Sequence, residues 1–254
     1  MTDPFYSPKR RVRRAKKHFG DLAVEIDAFC KSDPCADVVE LDDDGLQRMH
    51  KFKLIKPLPE SLADITVDAL GNMRSALDQA GYVTAVASGC ADPKRAYFPF
   101  ASSAADLENV IKGRCKDIPQ DIVTLFRTFQ PYKGGDDLLW ALNRIRTANE
   151  HRIITGVGLS SGGMHMLIDT MTMGPGGFIG APRWNSAKQE LVYAVTKPGT
   201  EFSYKGQFSF HIAFGDIEVI GGQEILTVLN SLLSKVEGIV LATEAESKRI
   251  GIIT

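Results

Sequence analysis

The sequence predicts an α+β fold: a helical bundle with a short N-terminal β-hairpin, then a C-terminal antiparallel β-sheet and a terminal helix. Three observations lead there. Apolar residues recur at spacings of three and four through much of residues 1–152. Residues 153–220 change to short runs rich in Gly, Thr, Val and Phe, broken by Gly/Pro punctuation. The last stretch then returns to helical spacing. We divide the chain into a helical core, 1–152, with a hairpin inserted at 37–54, and a β-sheet region with its closing helix, 153–254. Nothing in the pattern prevents the two from sharing one core.

Each element follows from local chemistry. Ser7-Pro8 reads as a helix start, with Ser7 as N-cap and Pro8 at the first helical position. Val12, Ala15, Phe19, Leu22, Ile26 and Phe29 continue one apolar stripe to Ser32-Asp33-Pro34. Residues 37–41 and 46–54 are β-rich, and Asp42-Asp43-Asp44-Gly45 supplies a turn. A second long helix is expected over 60–87, with Leu62, Ile65, Leu70, Met73, Leu77, Ala80 and Val83 inward. Residues 89–102 form a loop punctuated by Asp92-Pro93 and Phe98-Pro99-Phe100. Short helices are expected at 103–112 and 119–129. Pro131 to Gly135 breaks the chain, and Asp136 caps a helix running to about His151. Strands are expected at 153–159, 164–172, 190–196 and 207–214, with 174–180 as a flexible loop. A helix over 222–242 closes the chain, with Ile225, Leu229, Leu232, Val236 and Val240 inward.

Composition bounds the function. The chain has 254 residues, is 44% hydrophobic and carries a net charge of −1, which argues against a wholly basic nucleic-acid binder. Cys30, Cys35, Cys90 and Cys115 form no C-x-x-C pair, so neither a zinc site nor a secreted disulfide framework is expected. The basic N-terminus has no apolar run behind it, and no stretch approaches an uninterrupted apolar span. We therefore expect no signal peptide, no membrane partner and a cytoplasmic location. No cofactor and no metal are expected, since no H-E-x-x-H or similar ligand pattern occurs.

The polar features gather on two helices. Arg74 and Asp78 are four apart beside buried positions. They read as an ion pair at the core edge, or as a pair orienting groups on a neighbouring helix. The other segment is Asn143-Arg144-Ile145-Arg146-Thr147-Ala148-Asn149-Glu150-His151-Arg152 at a helix end, where a charged His is comfortable beside the negative end of the dipole. Arg146 and His151 fit R-x4-H and resemble the signature of HEPN-domain ribonucleases, although Thr147 stands where those motifs favour Asn, Asp or His. The resemblance implies a HEPN-like helical domain and RNA binding or metal-independent RNA cleavage. His151 would move the proton and Arg146 would hold the phosphate. Arg144 and Arg152 would support them, while Asn149, Arg74 and Asp78 orient them. It also implies a homodimer. The chemistry is reasonable, because cleavage through a 2′-hydroxyl needs a base near neutral pKa and a cation for the developing charge.

A second resemblance covers more of the chain. Arg74-Ser75-Ala76-Leu77-Asp78-Gln79, Phe98-Pro99-Phe100, Gln130-Pro131-Tyr132 and Asn149-Glu150-His151-Arg152 occur in order over about 80 residues. They are similar to the R-S-A-L-D-H, F-P-[FI], Q-P-Y and D-K-H-R segments of a group of uncharacterised bacterial proteins. Gln79 replaces the His, and Asn149-Glu150 replaces Asp-Lys. The resemblance implies a helical fold with a polar cluster.

Three further features give competing readings. Lys9, Arg10, Arg11, Arg13, Arg14, Lys16 and Lys17 make a basic run that is either a solvated helix face or a phosphate-contacting patch for RNA. Gly158-Leu159-Ser160-Ser161-Gly162 matches the nucleophile elbow of α/β-hydrolases. A serine esterase could use Ser160 with Asp169 or Asp216 and His165 or His211, of which Ser160, Asp169 and His211 stand in the expected chain order, yet a turn joining two strands of a hairpin explains the same residues more simply. A non-catalytic binding or scaffold protein is the remaining alternative.

Overall fold

In a computed structural model, described for residues 3–151, 157–159, 165–185, 188–209, 211–215 and 217–254, the N-terminal stripe folds as helix α1, Tyr6–Lys31. The helix starts ahead of Ser7. Asp3 accepts the Phe5 N–H through Oδ1 at 2.8 Å and the Tyr6 N–H through its carbonyl at 3.0 Å, so the cap expected of Ser7 is not needed. The Ser7 hydroxyl instead donates to Gln79 Oε1 at 2.8 Å. Gln79 lies on α2, Ser61–Ala87. Ser61 at the other end of α2 donates to Glu25 at 2.8 Å, so the two helices run antiparallel. Buried Ala69, Ala76 and Ala80 put small side chains on the packed side of α2. Between α1 and α2 come β1, Cys35–Leu41, and β2, Arg48–Leu54, turning through Gly45 at φ +72°.

Three helices follow: α3, Leu107–Arg114; α4, Gln120–Thr128; and α5, Asp137–His151. Asp136 caps α5 as expected, its Oδ1 accepting the Leu139 N–H at 3.0 Å. The strands β3, Val157–Leu159, β4, His165–Met173, β5, Gly177–Asn185, β6, Glu190–Thr196, β7, Phe202–Ser209, and β8, Ile212–Phe214, precede α6, Ile225–Arg249. The architecture is therefore mixed α+β, with a four-stranded antiparallel sheet in the order β1-β2-β6-β5 and the smaller pairs β3-β8 and β4-β7.

The loop expected at 174–180 is a correction. Only Gly174 to Gly176 turn, with Gly176 at φ +90°, and β5 begins at once with Gly177 opposite Thr196. A Cβ on Gly177 would lie 2.2 Å from Met173 Sδ, so this glycine serves close approach. The strand was hidden in the sequence by Pro182 and by an irregular register between Ile179 and Arg183, which together spoil the alternation.

Residues from both ends of the chain meet in one core. Strand β2 pairs with β6, from Arg48 opposite Thr196 to Lys53 opposite Glu190, across the boundary placed near 152. Helix α6 buries Leu229, Leu232, Val236 and Val240 in the same cluster as Leu22 of α1 and Leu70 of α2. Lys9 and Lys16 of α1 reach Glu244 and Glu237 of α6 at 2.6 and 2.7 Å. Among the described residues, α6 alone has the length and apolar composition to cross a membrane, but its apolar stripe is spent on this core. Truncating Leu232 to Ala should lower unfolding free energy by about 2–5 kcal/mol in denaturant titrations, whereas Val24→Ala on exposed α1 surface should change it little.

Candidate functional site

Arg74 is the buried cation of the helical core, with 3% of its surface exposed. Its Nη1 donates to Asp78 Oδ1 one turn along α2, and its Nε donates to Asn143 Oδ1 on α5 at 3.3 Å. The guanidinium lies over the Phe100 ring, 4.1 Å from its centre. Asp78 Oδ1 also accepts the Phe98 N–H at 3.1 Å. One buried charge pair therefore fixes two helices and the intervening loop.

The loop is in turn tied to the next break in the chain. Phe98 packs against Phe100 and Phe126, with ring centres 4.9 Å away in each case. The Ala101 N–H donates to Pro131 O at 3.0 Å. Gln130, at φ +47°, turns its carbonyl toward the N–H groups of Tyr132 and Asp136, 2.7 Å from each. A Cβ on Gly135 would sit 2.6 Å from Tyr132 and 2.7 Å from Gln130 O, so only glycine fits that turn. Asp136 then caps α5 and pairs with Lys235 of α6. Thus the segments around Arg74, Phe98 and Gln130 are physically joined and lead into α5.

The expected catalytic end is less fully defined. Arg144 lies on α5, and so do the backbones of Arg146, Asn149 and His151, but the side chains of 146–151 and all of Arg152 lie outside the described residues. An open depression of about 600 Å³ between α4, α5 and α6 includes Phe129, Asp136, Leu138 and Lys235. It sits at the other end of α5, about 20 Å from His151 at the usual rise per residue.

The basic run divides. Lys9 and Lys16 spend their charge on α6 carboxylates, while Arg11 donates to Asn72 at 3.3 Å. Arg13 lies over Tyr6, 5.5 Å from the ring centre. Arg10, Arg14 and Lys17 are exposed, with no ion pair among the described residues. Of the esterase set, Ser160 and the Asp169 side chain lie outside the described residues, and His211 stands 3.4 Å from Glu224. The chain resumes at His165 as strand β4, whereas an elbow requires a helix there. The flanking strands also pair elsewhere, β3 with β8 and β4 with β7, so the turn does not close a hairpin between them. Burial pushes the Cys115 thiol up to about 12, which removes it as a nucleophile at neutral pH.

A second polar cluster escaped the sequence reading. Asp37 accepts hydrogen bonds from Tyr193 and Tyr204 at 2.8 and 2.7 Å, joining β1, β6 and β7. Burial and the Asp37 bond raise the Tyr204 hydroxyl to about 12, so it stays protonated and the cluster acts as a latch. Beside it, His50 Nε2 bonds Thr196 Oγ1 at 3.0 Å, and its ring lies 4.4 Å from that of Phe202. No motif marks these residues, since they come together only when β2 pairs with β6.

Among the described residues no group of three or more His, Cys, Asp or Glu could hold a metal ion. Compared with protein-family models, curated proteins and solved structures, the chain matches none.

Two measurements check these assignments. Asp78→Ala leaves the Arg74 charge buried beside a lost partner and should cost about 3–5 kcal/mol of stability by denaturant titration. Burial lowers the His50 pKa below its ordinary 6.5, so the unfolded chain binds a proton first as pH falls. That contribution to stability is complete above about 6.5 and is lost below it. The melting temperature should fall with acidification through that range, and His50→Gln should flatten the fall.

Proposed function

We propose that the end of α5, residues 144–152, is an RNA site that binds the strand or cleaves it without a metal. His151 serves as acid and base, Arg146 holds the phosphate, and Arg144 and Arg152 add positive charge. Asn149 orients the reacting groups, while Arg74 and Asp78 act from behind by holding α5 in place. The observation that supports this reading is the buried Arg74, which spans from Asp78 to Asn143. Asn143 precedes Arg146 by three residues and Glu150 by seven, the spacing of one helix face. A cation kept fully buried at such a point is expensive unless its geometry is needed. Arg10, Arg14 and Lys17 are the members of the basic run available for further phosphate contacts.

The basic run contributes only part of its charge to either form. Much of the basic run is engaged within the fold through Lys9, Arg11 and Lys16, which leaves a small electrostatic footprint for an extended strand.

The test is incubation of the purified chain with structured and single-stranded RNAs in EDTA, beside His151→Ala and Arg146→Ala variants checked by circular dichroism. Cleavage by the wild type that disappears in folded His151→Ala supports a metal-independent nuclease. Salt-sensitive binding without cleavage, weakened in Arg146→Ala, supports the binding form. Neither binding nor cleavage would overturn the reading.

A further inference from the structure

Strand β1 is an outer strand of the four-stranded sheet, and among the described residues it pairs with β2 on one side only. The opposite outer strand, β5, is broken by Pro182, Arg183 and an irregular register, which are ordinary protections of a sheet edge. Strand β1 has no such break, and its charged residues, Asp37 and Glu40, are bonded within the chain to Tyr193 and Tyr204 and to Lys51. Cys35-Ala36-Asp37-Val38-Val39-Glu40-Leu41 contains no proline, lysine or arginine, and its pairing with β2 is unbroken. Two of its large apolar residues face outward, Val39 at 53% and Leu41 at 59% exposure. Such an edge is a template for another strand.

We propose that β1 pairs antiparallel with β1 of a second copy of this chain, about a two-fold axis at Val38. Symmetry limits the choices. A two-fold through the sheet must pair residues whose side chains lie on the same face, so the axis falls at a residue position. An axis at Asp37 or Glu40 opposes a carboxylate to itself. An axis at Ala36 or Val39 leaves part of the seven-residue strand unpaired. At Val38 every residue is matched: Cys35 with the partner's Leu41, Ala36 with the partner's Glu40, and Asp37 with the partner's Val39. No carboxylate faces another, and the outward Val39 and Leu41 gain neighbours.

The charge pattern also fits. Ala36 lies opposite Lys53 within the monomer, on the same face as Glu40. In the paired register the row across the sheet is therefore Lys53, Ala36 and the partner's Glu40. Lys53 is half-exposed and lies 3.8 Å from Glu40 Oε1 of its own chain, and the methyl group of Ala36 is short enough for it to reach over to the partner's Glu40 as well. The symmetry repeats the contact on the other side of the axis. Glu40 keeps its bond to Lys51, whose Nζ lies 2.8 Å away. This interface is independent of the RNA reading and needs only the edge of the sheet.

Sedimentation equilibrium and light scattering on the full chain test it. The wild type should be a concentration-dependent dimer. Val39→Glu puts a carboxylate directly opposite the partner's Asp37 and should raise the dissociation constant roughly tenfold or more. Val24→Lys, on exposed α1 surface, should leave it unchanged. Leu41→Cys exposed to oxidised glutathione should give a disulfide-linked dimer through the native Cys35 of the partner chain, and the link should vanish when Cys35→Ser is added. A wild type that stays monomeric up to sub-millimolar concentration overturns the proposal. So does a dimer that is indifferent to Val39→Glu, or one that Leu41→Cys fails to cross-link.

Discussion

The buried guanidinium of Arg74 is the contact on which the helical part of the molecule depends. A cation removed from water is costly, and here the cost is offset by Asp78, by Asn143 and by the face of the Phe100 ring. Each of those partners belongs to a different stretch of chain. Asp78 holds the backbone at Phe98, and Ala101 just beyond holds Pro131. A single unfavourable burial is thus converted into a definite geometry for α2, the 98–101 loop and α5. An apolar side chain of similar volume could fill the space but could not specify three directions at once.

The β part uses a different device. Asp37 accepts from a tyrosine on β6 and another on β7, so one exposed carboxylate spans two sheets. On the other face, Lys51 is buried between Glu190 and Glu40. These polar bridges tie neighbouring strands together at defined positions and so help to set register.

Much of this was legible in the sequence, for a physical reason. Helices with one buried face must repeat every three or four residues, and α1, α2 and α6 do so over 25 residues or more. Arg74 and Asp78 were readable as a pair because helix geometry alone brings them together. Asn143 as the third partner was not, since nothing local records that α5 crosses α2 there. The Asp37 and His50 clusters were invisible for the same reason, and β5 was lost because a proline and an irregular register break the alternation a strand normally displays. Part of the proposed site, at residues 146–152, rests on spacing and resemblance.

The order of the chain carries a consequence of its own. His50 bonds Thr196 across 146 residues, and α6 follows in the chain all the helices it packs against, α1, α2, α4 and α5. During synthesis α1 and α2 can pack on each other and the hairpin can close, while β6 and α6 are still untranslated. The nascent chain must keep an apolar groove and a bare strand edge from collapsing elsewhere until the final segment appears. High contact order of this kind slows folding and exposes intermediates to aggregation. The protein's weakest moment is therefore set by topology, before α6 has left the ribosome.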